Sequence, residues 1–89
     1  MSFFQNKVVW ITGASSGIGD ALTYAFHQRG ARLIISSRHR EVLDQVKANC
    51  GENTDNIHVL PLDLSDAESL PGKAAEALGL YGHVDYLFN

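Results

Sequence analysis

The sequence has 89 residues, with seven Lys and Arg against ten Asp and Glu, for a formal charge of −3 at pH 7. With 45% hydrophobic and 19% charged residues it has the composition of one folded domain at most, not of a disordered chain. The acidic balance argues against a nucleic-acid binder. The single cysteine, Cys50, rules out an internal disulfide framework, and no apolar run approaches the roughly 20 residues that cross a bilayer.

Four short apolar runs read as strands. They are Val8-Val9-Trp10-Ile11, Leu33-Ile34-Ile35, Ile57-His58-Val59-Leu60 and Val84-Asp85-Tyr86-Leu87-Phe88. Apolar residues at consecutive positions suit strands covered on both faces, as in a parallel sheet. Between them lie helical patterns. Ile18, Ala21, Leu22, Ala25 and Phe26 trace one helix face, and Arg29-Gly30 marks its stop. Val42, Leu43, Val46 and Cys50 trace a second face, closed by Gly51. In a third stretch, from about Ser65 to Leu80, Ala67, Leu70, Ala74, Ala77, Leu78 and Tyr81 share a face. Ser65 and Glu68 have capping-box spacing there, and Pro71 divides a short first turn from a longer helix.

The order β-α-β-α-β-α-β predicts an α/β fold with a Rossmann-type parallel sheet, strand order 3-2-1-4. The first two helices are expected on one face and the third on the other.

Thr12-Gly13-Ala14-Ser15-Ser16-Gly17-Ile18-Gly19 joins the first strand to the first helix. Gly13 permits a tight turn, Gly17 lets backbone approach a pyrophosphate, and Gly19 lets the helix pack close to the sheet. The N–H groups of Ser16, Gly17 and Ile18 and the positive helix end would face the anion, with the Ser15 and Ser16 hydroxyls as further donors. The spacing is G-x-x-x-G-x-G. A P-loop would need Gly-Lys-Ser/Thr at the helix start, where this chain has Gly19-Asp20-Ala21. The bland alternative is a plain strand-to-helix turn.

The segment TGASSGIG resembles the cofactor loop of short-chain dehydrogenases/reductases, and further positions agree in register. Asp63-Leu64, after the third strand, resembles the family's Asp-hydrophobic pair beside the adenine. Asn89, after the fourth strand, resembles the first Asn of its NNAG segment. The resemblance runs from about Lys7 to Asn89 and makes residues 1–89 the N-terminal part of a single NAD(P)-binding domain. It implies hydride transfer between a nicotinamide dinucleotide and a small carbonyl or alcohol, in a homo-oligomer, with no nucleic-acid or membrane partner. A cytoplasmic location is expected, since Met1 to Lys7 lack the layout of a signal peptide.

Dinucleotide folds read the ribose at the end of the second strand, where a carboxylate selects NAD and a guanidinium selects NADP. Here the strand ends Ser36-Ser37-Arg38, followed by His39-Arg40, with no Asp or Glu. Arg38 can fork onto phosphate oxygens and Ser37 can donate one more bond, so NADP is expected ahead of NAD. The alternative is that Arg38 is a solvated residue opening the second helix. Asp63 would accept from the adenine amino group while the Leu64 N–H faces a ring nitrogen; the competing use of Asp63 is to cap a helix before Ser65.

The expected cofactor-binding residues are thus Gly13, Ser15, Ser16, Gly17, Ile18, Gly19, Ser37, Arg38, Asp63, Leu64 and Asn89. None of Tyr24, Tyr81 and Tyr86 is followed four residues later by a Lys, so the family's Tyr-x-x-x-Lys pair is not among these residues. No catalytic or metal-binding residue is expected, and the 89-residue polypeptide is expected to be inactive. His27 reads as exposed, His39 as a surface residue, His58 as structural, Cys50 and Trp10 as core. Two other readings stand beside the reductase: a non-catalytic module that senses nucleotide redox state, and a methyltransferase. The latter wants an acidic residue where Ser37-Arg38 stand.

Overall fold

The computed structural model describes residues 3–15 and 17–88. Its strands are β1 (Val8–Thr12), β2 (Arg32–Ser36), β3 (Ile57–Val59) and β4 (Tyr86–Phe88), and its α-helices are α1 (Gly17–Gln28), α2 (Arg40–Asn49) and α3 (Leu70–Tyr81). A 3₁₀ turn, Thr54–Asn56, leads into β3. The strands pair in parallel in the order β3-β2-β1-β4, as the alternation predicts. Parallel pairing puts all four C-terminal strand ends on one edge, and the segments that follow β1, β2 and β3 meet there.

Alternate residues of the central strands feed two cores. Val9, Ile11, Leu33 and Ile35 face α1 and α2, which contribute Phe26, Leu43 and Val46. Val8 and Ile34 face α3, which contributes Ala77 with Leu80 and Tyr81. Complete burial of a Val, Leu or Ile side chain stabilises by about 1.5–3 kcal/mol, so the fully buried set in β1 and β2 fixes the sheet that carries the cleft. The Tyr81 hydroxyl sits 2.8 Å from the Asn56 carbonyl and 3.3 Å from that of Leu33. Burial pushes its pKa up to about 12, so it remains a donor and pins α3 to the sheet.

The helix faces differ in detail from the periodic pattern. In α1 the buried residues are Gly19, Thr23 and Phe26, while Ile18 is 79% exposed and Ala21 faces solvent. The face is rotated because the helix approaches the sheet through Gly19, where no side chain intervenes. Thr23 satisfies its buried hydroxyl by donating to the Gly19 carbonyl at 2.9 Å. In α2, Leu43 and Val46 are buried and Cys50 is half-buried, but Val42 is exposed. Burial pushes the Cys50 thiol upward, away from thiolate chemistry.

The third stretch divides at Pro71 as expected: α3 starts at Leu70 with Pro71 in its first turn, and the residues from 64 to 69 before it are turns rather than helix, while Ala67 and Leu78 of the expected face are exposed. The capping box does not form, because the Ser65 hydroxyl donates back to Asp63. His27 is half-buried rather than exposed, its Nε2 lying 2.7 Å from the Glu52 carbonyl oxygen. Trp10, half-buried, donates from Nε1 to Ser36 Oγ at 2.8 Å. Among the described residues no helix is long and apolar enough to cross a membrane.

Strand β4 is anchored to β1 at both ends. Asp85 N donates to the Val8 carbonyl at 2.9 Å, and Val8 N donates to Asp85 Oδ2 at 2.8 Å. At the other end Thr12 Oγ1 donates to the Phe88 carbonyl at 3.2 Å. The Val8 N–H holds the Asp85 carboxyl below its ordinary range, helped by His83 and Lys7 and opposed by partial burial. A carboxyl depressed in the folded state contributes stability above its unfolded pKa, about 3.9, and loses it as pH falls through the folded value. The stability difference between wild type and Asp85→Asn should therefore be full at neutral pH and shrink below about pH 4. Chemical denaturation across that range checks it; a pH-independent difference would show that the carboxylate charge is immaterial.

Candidate functional site

The site forms where β1, β2 and β3 end. Gly13 turns the chain out of β1 at φ +71°, a left-handed conformation that costs a side-chain-bearing residue about 1–2 kcal/mol. Its neighbour Ala14 is buried, and Ala14 N donates to the Ser36 carbonyl at 3.0 Å, which ties the turn to β2. Helix α1 then begins at Gly17, so its N-terminal turn follows directly on the turn out of β1. A Cβ added at Gly13 or Gly17 would meet no atom within 4 Å, so both glycines border open space. At Gly19 the same atom would overlap the Gly13 carbonyl oxygen and come within 2.8 Å of Ala14 Cα. The glycines thus differ: Gly13 makes a turn, Gly17 stands at an open position and Gly19 makes a close packing contact.

The end of β2 is held from both sides. Leu62 N donates to the Ser37 carbonyl at 2.8 Å, extending the ladder past β3. His39 N donates to Ser37 Oγ at 3.1 Å, so the hydroxyl accepts there and keeps its own proton to donate elsewhere. Arg38 is exposed beside it and makes no hydrogen bond or ion pair with the described residues. Residues 36–40, the end of β2 and the segment after it, include no carboxylate.

Asp63 has a partner that the sequence left open. Its Oδ1 accepts from Ser65 N at 2.9 Å and from Ser65 Oγ at 2.7 Å, closing a turn rather than capping a helix. These bonds hold the carboxyl below its ordinary range, with the nearby Arg38 charge adding to them. Oδ2 has no partner among the described residues. Leu64, next to it, is 60% exposed.

These elements enclose a cavity of about 350 Å³ that brings together Gly13, Ser15, Ser37, Arg38, Asp63 and Leu64. Thr12, Ser36, His39, Leu62 and Ser65 line it too. None of these five is among the cofactor-binding residues expected from sequence, although each is adjacent to one that is. A smaller hollow of about 90 Å³ takes Ile18 and Gly19, with Gly13 shared between the two. Gly17 lines neither, and Ser16 and Asn89 lie outside the described residues.

The family model for the short chain dehydrogenase matches residues 7–89. The chain belongs to this family. Dehydrogenase/reductase SDR family member 7 of Mus musculus is 42% identical over 88 residues, and its Homo sapiens counterpart 43%. The aligned part is 94% of this chain and 26% of each relative, so the chain spans about a quarter of their length. Among solved structures, a short-chain dehydrogenase/reductase (glucose/ribitol dehydrogenase) from Brucella melitensis superposes with a TM-score of 0.85 at 35% identity, over 98% of this chain and 37% of that one. A 3-ketoacyl-(acyl-carrier-protein) reductase from Brucella melitensis, crystallised with NADH, gives 0.82 at 28% identity, over 94% and 33%.

Within this short-chain dehydrogenase segment the Gly19 contact admits a direct test. Gly19→Ala must displace the Gly13 carbonyl or α1, and should cost about 1–3 kcal/mol. Gly17→Ala, at an open position, should cost less than half of that. Urea denaturation of both variants checks the ranking; equal losses would contradict the close approach.

Proposed function

We propose that this chain forms the NADP(H)-binding part of an oxidoreductase that moves hydride between a nicotinamide cofactor and a carbonyl or alcohol. The observation that carries this reading is Arg38: a guanidinium without an ion pair among the described residues, at the end of β2, beside a hydroxyl whose proton is free. A cavity of about 350 Å³ is large enough for part of a dinucleotide. Its donors suit anions, and its one free carboxylate oxygen, Asp63 Oδ2, suits an amine.

In this reading the backbone from Gly13 to Gly19 and the N-terminus of α1 hold the pyrophosphate, with Ser15 and Ser16 assisting. Arg38 and Ser37 hold a 2′-phosphate through charge-assisted hydrogen bonds. Asp63 Oδ2 accepts from the adenine amino group, and the Leu64 N–H faces the ring. Ile18 and Asn89 border the cofactor farther along. The cofactor, when bound, supplies the hydride chemistry, and these residues bind and orient it. The 89 residues contain no Tyr-x-x-x-Lys, so this reading assigns the chain cofactor binding and not proton transfer. The isolated polypeptide should show no carbonyl reduction.

Arg38→Ala tests the cofactor assignment in the intact protein. Loss of hydrogen bonds to a charged group should weaken NADPH about 10- to 100-fold, and NADH less than about threefold. Fluorescence titration with both cofactors reads this. Equal losses would overturn the NADP assignment.

A further inference from the structure

A second hollow adjoins the cavity just described. It has a volume of about 330 Å³, and Arg38, Leu62 and Asp63 line both. Its far wall carries Asp66, Ser69 and Lys73, which belong to the turn after β3 and the first turns of α3. The sequence patterns gave Asp66 and Lys73 no role. In the hollow they complete a balanced set: two cations, Arg38 and Lys73, against two carboxylates, Asp63 and Asp66.

Two observations make this balance consequential. Lys73 and Asp66 line the same hollow as Arg38, so at low salt their charges act on a ligand at Arg38 without touching it. Lys73 is also only loosely engaged: its Nζ lies 3.7 Å from Glu76 Oε2, with the two side chains 34% and 55% exposed. Such an exposed pair leaves much of the ammonium field unopposed. Ser65 chiefly holds the Asp63 carboxyl down, and Arg38 adds a smaller lowering, so neighbouring charges on this wall act on one another.

We propose that Lys73 and Asp66 act as a pair of specificity-determining residues for the adenosine end of the cofactor, with Lys73 favouring a 2′-phosphate over a 2′-hydroxyl and Asp66 opposing it. The proposal rests on the NADP(H) reading above. NADP(H) and NAD(H) differ at this end by a phosphate dianion, so a distant charge changes the ratio of their affinities and leaves NADH binding nearly untouched. Asp63 acts differently, because Ser65 holds it in place and its free oxygen is offered to both cofactors alike. Glu76 moderates Lys73 and so sets the upper limit of its effect.

The test is titration of NADPH and NADH against the intact protein and its Lys73→Ala, Lys73→Arg, Asp66→Asn and Arg38→Ala variants, at low and high salt. Lys73→Ala should lower the NADPH-to-NADH affinity ratio about two- to fourfold and Asp66→Asn should raise it by a similar factor, both effects fading at about 0.5 M salt. Lys73→Arg should keep the wild-type ratio. Shifts of Lys73→Ala and Asp66→Asn in the same direction, equal effects on both cofactors, or no shift at low salt would each overturn the proposal. Arg38→Ala separates the two claims. If it leaves the ratio unchanged, the NADP(H) reading itself fails. If it collapses the ratio while the other variants do nothing, only the role of Lys73 and Asp66 fails.

Discussion

Everything at the cleft depends on one close approach. At Gly19 the first turn of α1 lies against the Gly13 carbonyl with no room for a Cβ. That contact fixes where the helix N-terminus stands relative to the end of β1, and hence where its unpaired N–H groups lie. It also explains the burial pattern of the helix. Thr23 and Phe26 follow Gly19 onto the sheet, and Ile18 is turned out to 79% exposure.

The rest of the site follows from parallel pairing. Because β1, β2 and β3 run the same way, the segments after them converge and are laced together by single backbone bonds, Ala14 to Ser36 and Leu62 to Ser37. Those bonds hold Arg38 at the rim without consuming its side chain. The His39 N–H and the Ser65 hydroxyl likewise engage one acceptor each, on Ser37 and Asp63, and so orient what remains free. Local turn chemistry thus prepares polar groups that the strands alone would leave free to rotate. The charged wall behind Arg38 extends the same electrostatics one layer outward.

Sequence pattern reached the architecture because buried parallel strands leave a simple trace: consecutive apolar residues between amphipathic stretches. The strand order and the division of helices between faces could be read that way, and the loop spacing reached the turn at Gly13 and the close contact at Gly19. Finer assignments failed where a tertiary contact outweighed periodicity. Ile18 and Ala21 fit the apolar helix face by spacing, yet Gly19 makes the contact, and a residue without a side chain carries no hydrophobic signal. Val42 fits the second face by adjacency to Leu43 but lies one position off the buried row. Ser65 has capping-box spacing, but Asp63, two residues earlier, captures its hydroxyl, a local competition that a pattern of i and i+3 does not register. Of the residues expected from sequence, Gly13, Ser15, Ile18, Gly19, Ser37, Arg38, Asp63 and Leu64 line the two cavities, and Gly17 lines neither. Thr12, Ser36, His39, Leu62 and Ser65 were not expected, since they enter the cavity by adjacency alone.

On the proposed function, the end of β2 reads a phosphate on the adenosine ribose. Competition against bound NADPH by adenosine 2′,5′-bisphosphate and by adenosine 5′-monophosphate isolates that end from the nicotinamide and from any substrate. The bisphosphate should compete about 10- to 100-fold more effectively, as charge-assisted bonds from a guanidinium and a hydroxyl require. Equal competition by the two nucleotides would contradict the account.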